Sequence, residues 1–324
     1  DDVAIVPSRR TRDPDDIDIS WTLGPYRFDL PLVASAMDGV VSPETAVLTH
    51  KLGGLGVLNL EGIWTRFEDA EQQLERVSKA PKDEATAIMQ EIYETPVKSE
   101  LIAQRISEIK AAGAVVCGSL TPQSVQQHYE VAVEAGLDIL VIQGTVISAE
   151  HVSTTVEPLN LKEFISEVPI PTVVGGCASY STGLHLMRTG AVGVLVGVGP
   201  GAACTTRGVL GIGVPQATAI ADVAAARSQH MLETGEYVNV IGDGGMRTGG
   251  DISKAIACGA DAVMIGSPLA RAKEAPGRGY HWGMATFHSS LPRGTRVTTV
   301  QDGTMEEILL GPAHTNDGTF NLMG

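Results

Sequence analysis

The chain contains no run of about 18 consecutive apolar residues, so nothing in it reads as a membrane-spanning helix. It has only four cysteines in 324 residues, none at C-x-x-C spacing, which excludes a disulfide framework and a zinc knuckle. Its histidines are scattered. His281 and His288 stand seven apart with no carboxylate placed to complete a metal site, and read as surface or packing residues. Basic residues are also scarce: 23 Lys and Arg against 38 Asp and Glu leave a net charge of −15. A nucleic-acid polymer needs clustered cations and is excluded as a partner, whereas a small anion held in a local pocket is not. No basic start followed by an apolar stretch marks a signal peptide. Few cysteines and no leader-like segment point to a reducing, cytoplasmic setting. What remains, at 43 % hydrophobic and 19 % charged residues, is an ordinary globular composition.

Eight short apolar runs recur along the chain, at residues 31–36, 55–60, 114–120, 139–144, 171–177, 193–199, 238–243 and 262–266. They are aliphatic and do not alternate with polar residues, the pattern of parallel strands buried on both faces. Helix punctuation lies between them. Ser42-Pro43 and Thr121-Pro122 each pair an N-cap residue with proline at the first helical position, and Asp251 is placed to cap a helix over residues 252–258. Gly113, Gly136, Gly190 and Gly259 each close a helix-like segment just before a strand, where a left-handed cap suits glycine. Eight β/α alternations predict a single α/β domain over residues 1–324, a (β/α)8 TIM barrel, with an open doubly wound sheet as the alternative. Residues 61–100, charged and with a polar helix predicted over 70–79, are too few for an inserted domain. The tail from residue 276 reads as a lid-like excursion, with a mobile flap predicted at roughly residues 285–320.

In such a barrel, chemistry is carried on loops following the strands. After the sixth run comes Gly197-Val198-Gly199-Pro200-Gly201-Ala202-Ala203-Cys204-Thr205-Thr206-Arg207. Glycines there allow close backbone approach to a ligand, and Arg207 with a following helix start would favour the Cys204 thiolate. Cys117 and Cys258, in a strand and a helix, read as inert. Gly242-Asp243-Gly244-Gly245 and Gly266-Ser267 follow the seventh and eighth runs, where barrels often hold phosphate on backbone N–H groups. Asp243 would suit a ribose diol.

These segments together resemble the IMP dehydrogenase/GMP reductase family over the whole chain. The carriers are Asp1-Asp2-Val3 through Val6-Pro7, Ser35-Ala36-Met37-Asp38, the cysteine loop, Gly211-Ile212-Gly213-Val214-Pro215-Gln216, Asp243-Gly244-Gly245, Gly266-Ser267 and Tyr280 through Gly283-Met284. The resemblance implies an NAD-dependent oxidation of IMP to XMP through a Cys204 thioimidate. It assigns assistance to Thr206, and to Arg296 the activation of water from a flap. Ser35, Met37, Asp243, Gly245, Gly266, Ser267, Tyr280, Gly283 and Met284 would bind IMP, and Gln143, Gly197 and Gly199 the NAD. Carbonyls of Gly199, Gly201 and Cys204 would hold potassium, and relatives form homotetramers. GMP reductase, which releases ammonia from GMP with NADPH, and a nucleotide-binding regulator without catalysis are the alternatives.

The chain also departs from the family pattern. It has no room for paired CBS modules, and carries Gln143 for an aspartate, Cys177 for an asparagine, Ala202 for a serine and Thr299 for a tyrosine. It begins without methionine and stops at Asn321-Leu322-Met323-Gly324, where relatives continue, so part of the cation site is expected beyond it.

Overall fold

The computed structural model describes residues 3–8, 10, 12–13, 16–147, 159–283, 296–311 and 322–323. Met284, His288 and most of the predicted flap, residues 285–295 and 312–320, therefore lie outside the described residues.

A short antiparallel hairpin comes first, β1 (Trp21–Leu23) and β2 (Tyr26–Phe28). The eight apolar runs then become β3 (Leu32–Ala34), β4 (Leu55–Asn59), β5 (Cys117–Leu120), β6 (Ile139–Gln143), β7 (Thr172–Cys177), β8 (Gly193–Val196), β9 (Asn239–Asp243) and β10 (Ala262–Ile265). They pair in parallel, each with the next, and β10 closes on β3, so the sheet is a closed (β/α)8 barrel rather than an open one.

Two apolar layers explain the unbroken hydrophobic runs. Alternate strand residues point inward (Val33, Leu55, Val57, Cys117, Ile139, Val141, Val173, Leu195, Ile241 and Met264) and meet Trp21, Leu23 and Phe28 of the hairpin. The intervening residues, such as Leu140, Ile142, Val174, Val240 and Val263, face the surrounding helices. The hairpin plugs the N-terminal end of the barrel. Tyr26 reaches Asp138 just ahead of β6, and the Trp21 indole donates to the Leu30 carbonyl at 2.8 Å.

The helices include α1 (Pro43–Lys51), α2 (Ala70–Lys79), α3 (Ala85–Glu94), α4 (Ser99–Ala111), α5 (Val125–Glu134), α6 (Leu161–Glu167), α7 (Tyr180–Met187), α8 (Thr206–Leu210), α9 (Gln216–Thr234), α10 (Gly249–Ala257) and α11 (Met305–Leu310). Ser42 caps α1 with proline inside its first turn, and α2 spans the predicted residues. Gly113, Gly136, Gly190 and Gly259 all take left-handed φ, between +80° and +110°. Two capping expectations need correction. α5 starts at Val125 because Thr121 closes a turn, accepting the N–H groups of Ser124 and Val125, before the helix begins. Thr248, not Asp251, caps α10; Asp251 is the reciprocal partner three residues inside a capping box. The tail contributes a strand pair, β11 (Tyr280–His281) with β12 (Val297–Thr298), and α11.

Candidate active site

A cavity of about 500 Å³ opens at the C-terminal end of the barrel, within the roughly 300–1,000 Å³ span of small-molecule sites. The loops after β3, β6, β8, β9 and β10 and the segment from β11 wall it. Thirteen predicted site residues line it: Ser35, Met37, Gln143, Gly197, Gly199, Gly201, Cys204, Thr206, Asp243, Gly245, Gly266, Ser267 and Gly283.

Cys204 sits on the loop after β8, exposed, and its Sγ lies 3.2 Å from the Thr206 hydroxyl at the first turn of α8. The loop is held by a contact that the sequence reading assigned elsewhere. Arg207 donates from Nε to the Val198 carbonyl at 3.0 Å and from Nη2 to the Val214 carbonyl at 2.5 Å. Arg207 thus clamps the two ends of the loop that carries the thiol. Of the other cysteines, Cys117 and Cys177 are buried in strands and Cys258 is half-buried at the end of α10. Burial pushes the Cys117 thiol up, and Cys177, also buried, is pushed up to about 12. Cys177 does not face the cavity, so the departure at that position lies in the wall.

Gln143 and Asp243 end β6 and β9 as inward-pointing residues, where the apolar filling of the barrel gives way to polar groups. The Gln143 Nε2 donates to Asp243 Oδ2 at 3.1 Å, while Gln143 Oε1 is buried without a partner among the described residues. Burial pushes the Asp243 carboxyl up to about 7, opposed by the Gln143 hydrogen bond. Gln216 draws the neighbouring strand ends together, donating to the carbonyls of Val196 at 2.6 Å and Asp243 at 3.2 Å. Gly197 is obligatory in this packing, because a Cβ there would stand 2.2 Å from the Asp243 carbonyl oxygen.

The opposite wall suits an anion. Gly244 and Gly245 take φ of +79° and +82°, conformations that side-chain-bearing residues rarely adopt. Among the described residues, the N–H groups of Gly245, Gly266 and Ser267 donate to no backbone acceptor. Three unpaired donors on adjacent loops are the groups an oxyanion needs. The Ser267 hydroxyl lies 2.7 Å from Nε2 of His281, which is buried and faces the cavity. The sequence reading confined His281 to surface or packing. Its position between Tyr280 and Gly283, both singled out as binding residues, was the available signal. The loop carrying Ser35 and Met37 is braced from behind: Tyr93 of α3 donates to Asp38 Oδ2 and accepts the Trp282 indole N–H at 2.8 Å.

Two predicted residues stand apart from the cavity. Arg296 donates to the carbonyls of Val77 and Ala80 at the end of α2, at 2.5 and 2.9 Å, and lies 4.4 Å from the centre of the Tyr280 ring. Arg296 and Tyr280 therefore face each other and residues 61–100, and the structure brings neither to Cys204.

The implied small ligands divide. For NAD, the flank formed by Gln143, Gly144 and Thr145 offers a hydroxyl and, beneath it, the unpartnered buried Gln143 amide oxygen beside Asp243, polar groups of the type a ribose and carboxamide need. For potassium, the carbonyls of Gly199, Gly201 and Cys204 are of the right donor type. Gly201 already accepts the Cys204 N–H at 3.0 Å, and three carbonyls alone do not complete a coordination sphere. No group of three or more His, Cys, Asp or Glu able to hold a metal occurs among the described residues. No described helix is long and apolar enough to cross a membrane.

Comparison with known proteins adds a family. The IMP dehydrogenase / GMP reductase domain model matches residues 1–299. An uncharacterized oxidoreductase of Mycobacterium tuberculosis is 47 % identical over 332 residues, covering 100 % of this chain and 88 % of that protein. The inosine-5′-monophosphate dehydrogenase of Cryptosporidium parvum is 31 % identical over 291 residues, covering 86 % of this chain and 68 % of that one. A crystal structure of an IMP dehydrogenase/GMP reductase-like protein from Corynebacterium glutamicum superposes with a TM-score of 0.92. It is 44 % identical and covers 98 % of this chain and 85 % of the other.

Proposed function

The chain belongs to the IMP dehydrogenase/GMP reductase family of oxidoreductases, and we propose that it oxidises IMP to XMP with Cys204 as the nucleophile. The observation that carries this reading is the arrangement of three walls about one cavity. An exposed thiol with a hydroxyl beside it faces a carboxylate suited to a diol and a set of open N–H donors suited to a phosphate.

In this reading the phosphate rests on the N–H groups of Gly245, Gly266 and Ser267, the ribose hydroxyls on Asp243, and the base over Met37 towards Cys204. As a thiolate, Cys204 accepts from the Thr206 hydroxyl and forms a bond from Sγ to C2 of the purine. The C2 hydrogen leaves with its electron pair, and bound NAD⁺ supplies the acceptor for that hydride. Water then adds to C2, the C–S bond breaks, and Cys204 recovers its electron pair, so that IMP, NAD⁺ and water give XMP, NADH and a proton. Thr206 is placed to hand a proton to and from sulfur. Assistance of the water step by Arg296 would require its release from the carbonyls of Val77 and Ala80.

That docking favours a second reading. A GMP reductase needs no water-activating arginine: the same thiolate would attack C2 of GMP, the amino group would leave with a proton as ammonia, a hydride supplied by NADPH when bound would add to that carbon, and the C–S bond would break to release IMP and return the electron pair to Cys204. The two are separated by a paired assay, IMP with NAD⁺ against GMP with NADPH, with potassium present. NADH formed from IMP is the expected result. NADPH consumed with GMP, and no reaction of IMP, would replace the first reading by the second. Tight nucleotide binding with neither turnover would leave a non-catalytic regulator.

A further inference from the structure

We infer that His281 is a positioning residue which makes the Ser267 hydroxyl a donor aimed at an anionic ligand group, and thereby sets selectivity for the phosphorylated nucleoside. The inference rests on the reading of the cavity as a nucleotide site. His281 lies on β11, is 1 % exposed, and contacts Ser267 Oγ through Nε2 at 2.7 Å; its Nδ1 is buried with no partner among the described residues. Burial also lowers its basicity, to a pKa of about 4, so the ring is neutral at physiological pH and carries a single N–H.

Only two tautomers are then available, and they give Ser267 opposite characters. With the proton on Nδ1, a buried N–H has no acceptor, and the serine must spend its own hydrogen on Nε2. The cavity would then face only the serine's lone pairs, which repel a phosphate. With the proton on Nε2, the ring donates to Ser267 Oγ and leaves a bare Nδ1 lone pair, the lesser penalty because under-satisfied acceptors are tolerated better than orphaned donors. The serine hydrogen is released towards the cavity, next to the open N–H groups of Gly245 and Gly266. The second arrangement is the one consistent with the surroundings of both nitrogens. It turns a neutral His–Ser pair into an oriented donor for an oxyanion, in a cavity whose lining contains one fixed cation, Arg247, and no lysine. His281 touches neither the reacting carbon nor the thiol in this account; it acts through Ser267.

The experiment measures IMP and inosine affinity by calorimetry in the wild type, His281→Phe, His281→Gln, Ser267→Ala and the Ser267→Ala/His281→Phe double variant. Loss of a hydrogen bond to a charged group predicts IMP binding weaker by about 10- to 100-fold in His281→Phe, with inosine unchanged. Glutamine keeps an N–H donor at the Nε2 position and should restore most of the loss. The double variant should be no weaker than Ser267→Ala alone. Equal weakening of IMP and inosine, additive losses in the double variant, or unchanged IMP binding in His281→Phe would each overturn the assignment. A separate arm is independent of the nucleotide reading. In ¹⁵N NMR of the full chain, His281 should show a protonated Nε2 and bare Nδ1, and the reverse tautomer overturns the inference whether or not IMP binds. Failure of the wild type to bind IMP, with the expected tautomer observed, would strike the nucleotide reading and the phosphate selectivity with it.

Discussion

The two ends of the barrel are built from the same strands and reach opposite outcomes. At the N-terminal end, Trp21, Leu23 and Phe28 cover the inward residues, and the single polar atom among them, the Trp21 indole nitrogen, has its acceptor in Leu30. At the C-terminal end the inward positions become Gln143 and Asp243, one with a buried amide oxygen that has no partner among the described residues and the other with a carboxyl pushed up to about 7. The closed end satisfies its groups internally, whereas the open end leaves them for a ligand. That difference separates the parts of the chain that hold the fold from those that do chemistry, and it predicts which substitutions trade stability against turnover.

The largest expected effect is at the open end. Cys204 is exposed and packs against little, so Cys204→Ala should leave the unfolding midpoint unchanged. Turnover should fall at least about a thousandfold, as for loss of a covalent nucleophile. A Cys204→Ala protein that keeps a tenth of the wild-type rate would remove the thiol from the mechanism. The converse experiment belongs to the plug. Trp21→Ala empties a site where an indole packs 5.5 Å from the Phe28 ring and is 6 % exposed. It should cost about 3–5 kcal/mol in urea unfolding and leave the nucleotide affinity of the folded protein unaltered. A comparable loss of affinity would mean that the two ends are coupled through the barrel.

The open end should also carry a pH signature. Asp243 has a folded-state pKa of about 7, against about 3.9 for an unfolded aspartate. Below pH 4 both states hold the proton; between about 4 and 7 only the folded state does. Raising the pH through that window therefore favours the unfolded chain, and ligand-free stability should decline across it and level off above 7. Nucleotide binding should run the other way, strengthening as Asp243 ionises and can accept from two hydroxyls. Asp243→Asn should abolish both trends. The phosphate's own titration near pH 6 is common to the two proteins, so their difference isolates the carboxyl. Identical pH profiles would mean that Asp243 does not face the ribose.

Legibility in the sequence follows the same division. The eight strands could be read because burial on both faces leaves an unbroken apolar run, and the glycine caps because a left-handed residue after a helix tolerates few alternatives. Cys204, Asp243 and the glycines near them were legible because polar and glycine-rich loops after apolar strands are unusual in themselves. The clamp made by Arg207 was not legible, because proximity in sequence says nothing of which carbonyls a long side chain will reach; it spans from Val198 to Val214. His281 was missed for a related reason. Its partner, Ser267, is fourteen residues away and reaches it only through the tertiary path of β11. Thr121-Pro122 misled because a turn and a helix start share the same residues, and packing decided between them.

Arg296 makes the smallest and most discriminating test. It stacks on Tyr280 and satisfies two carbonyls at the end of α2, contacts that tie the tail to residues 61–100. Arg296→Ala should therefore cost about 1.5–4 kcal/mol, the sum expected from one cation–π contact and two partly buried hydrogen bonds. The thiol and the nucleotide walls are untouched, so a first burst of NADH, one per active site, should survive. If the arginine leaves its dock to serve the water step, steady-state turnover should fall well below that burst, with the Cys204 adduct accumulating and detectable by intact mass. Arg296→Lys should keep the charge but lose the fork that bridges two carbonyls, and should recover less stability than turnover. Unchanged steady-state turnover in Arg296→Ala would make the residue a clasp between tail and barrel and nothing more, and the open end would then hydrolyse its intermediate with the groups that already line the cavity.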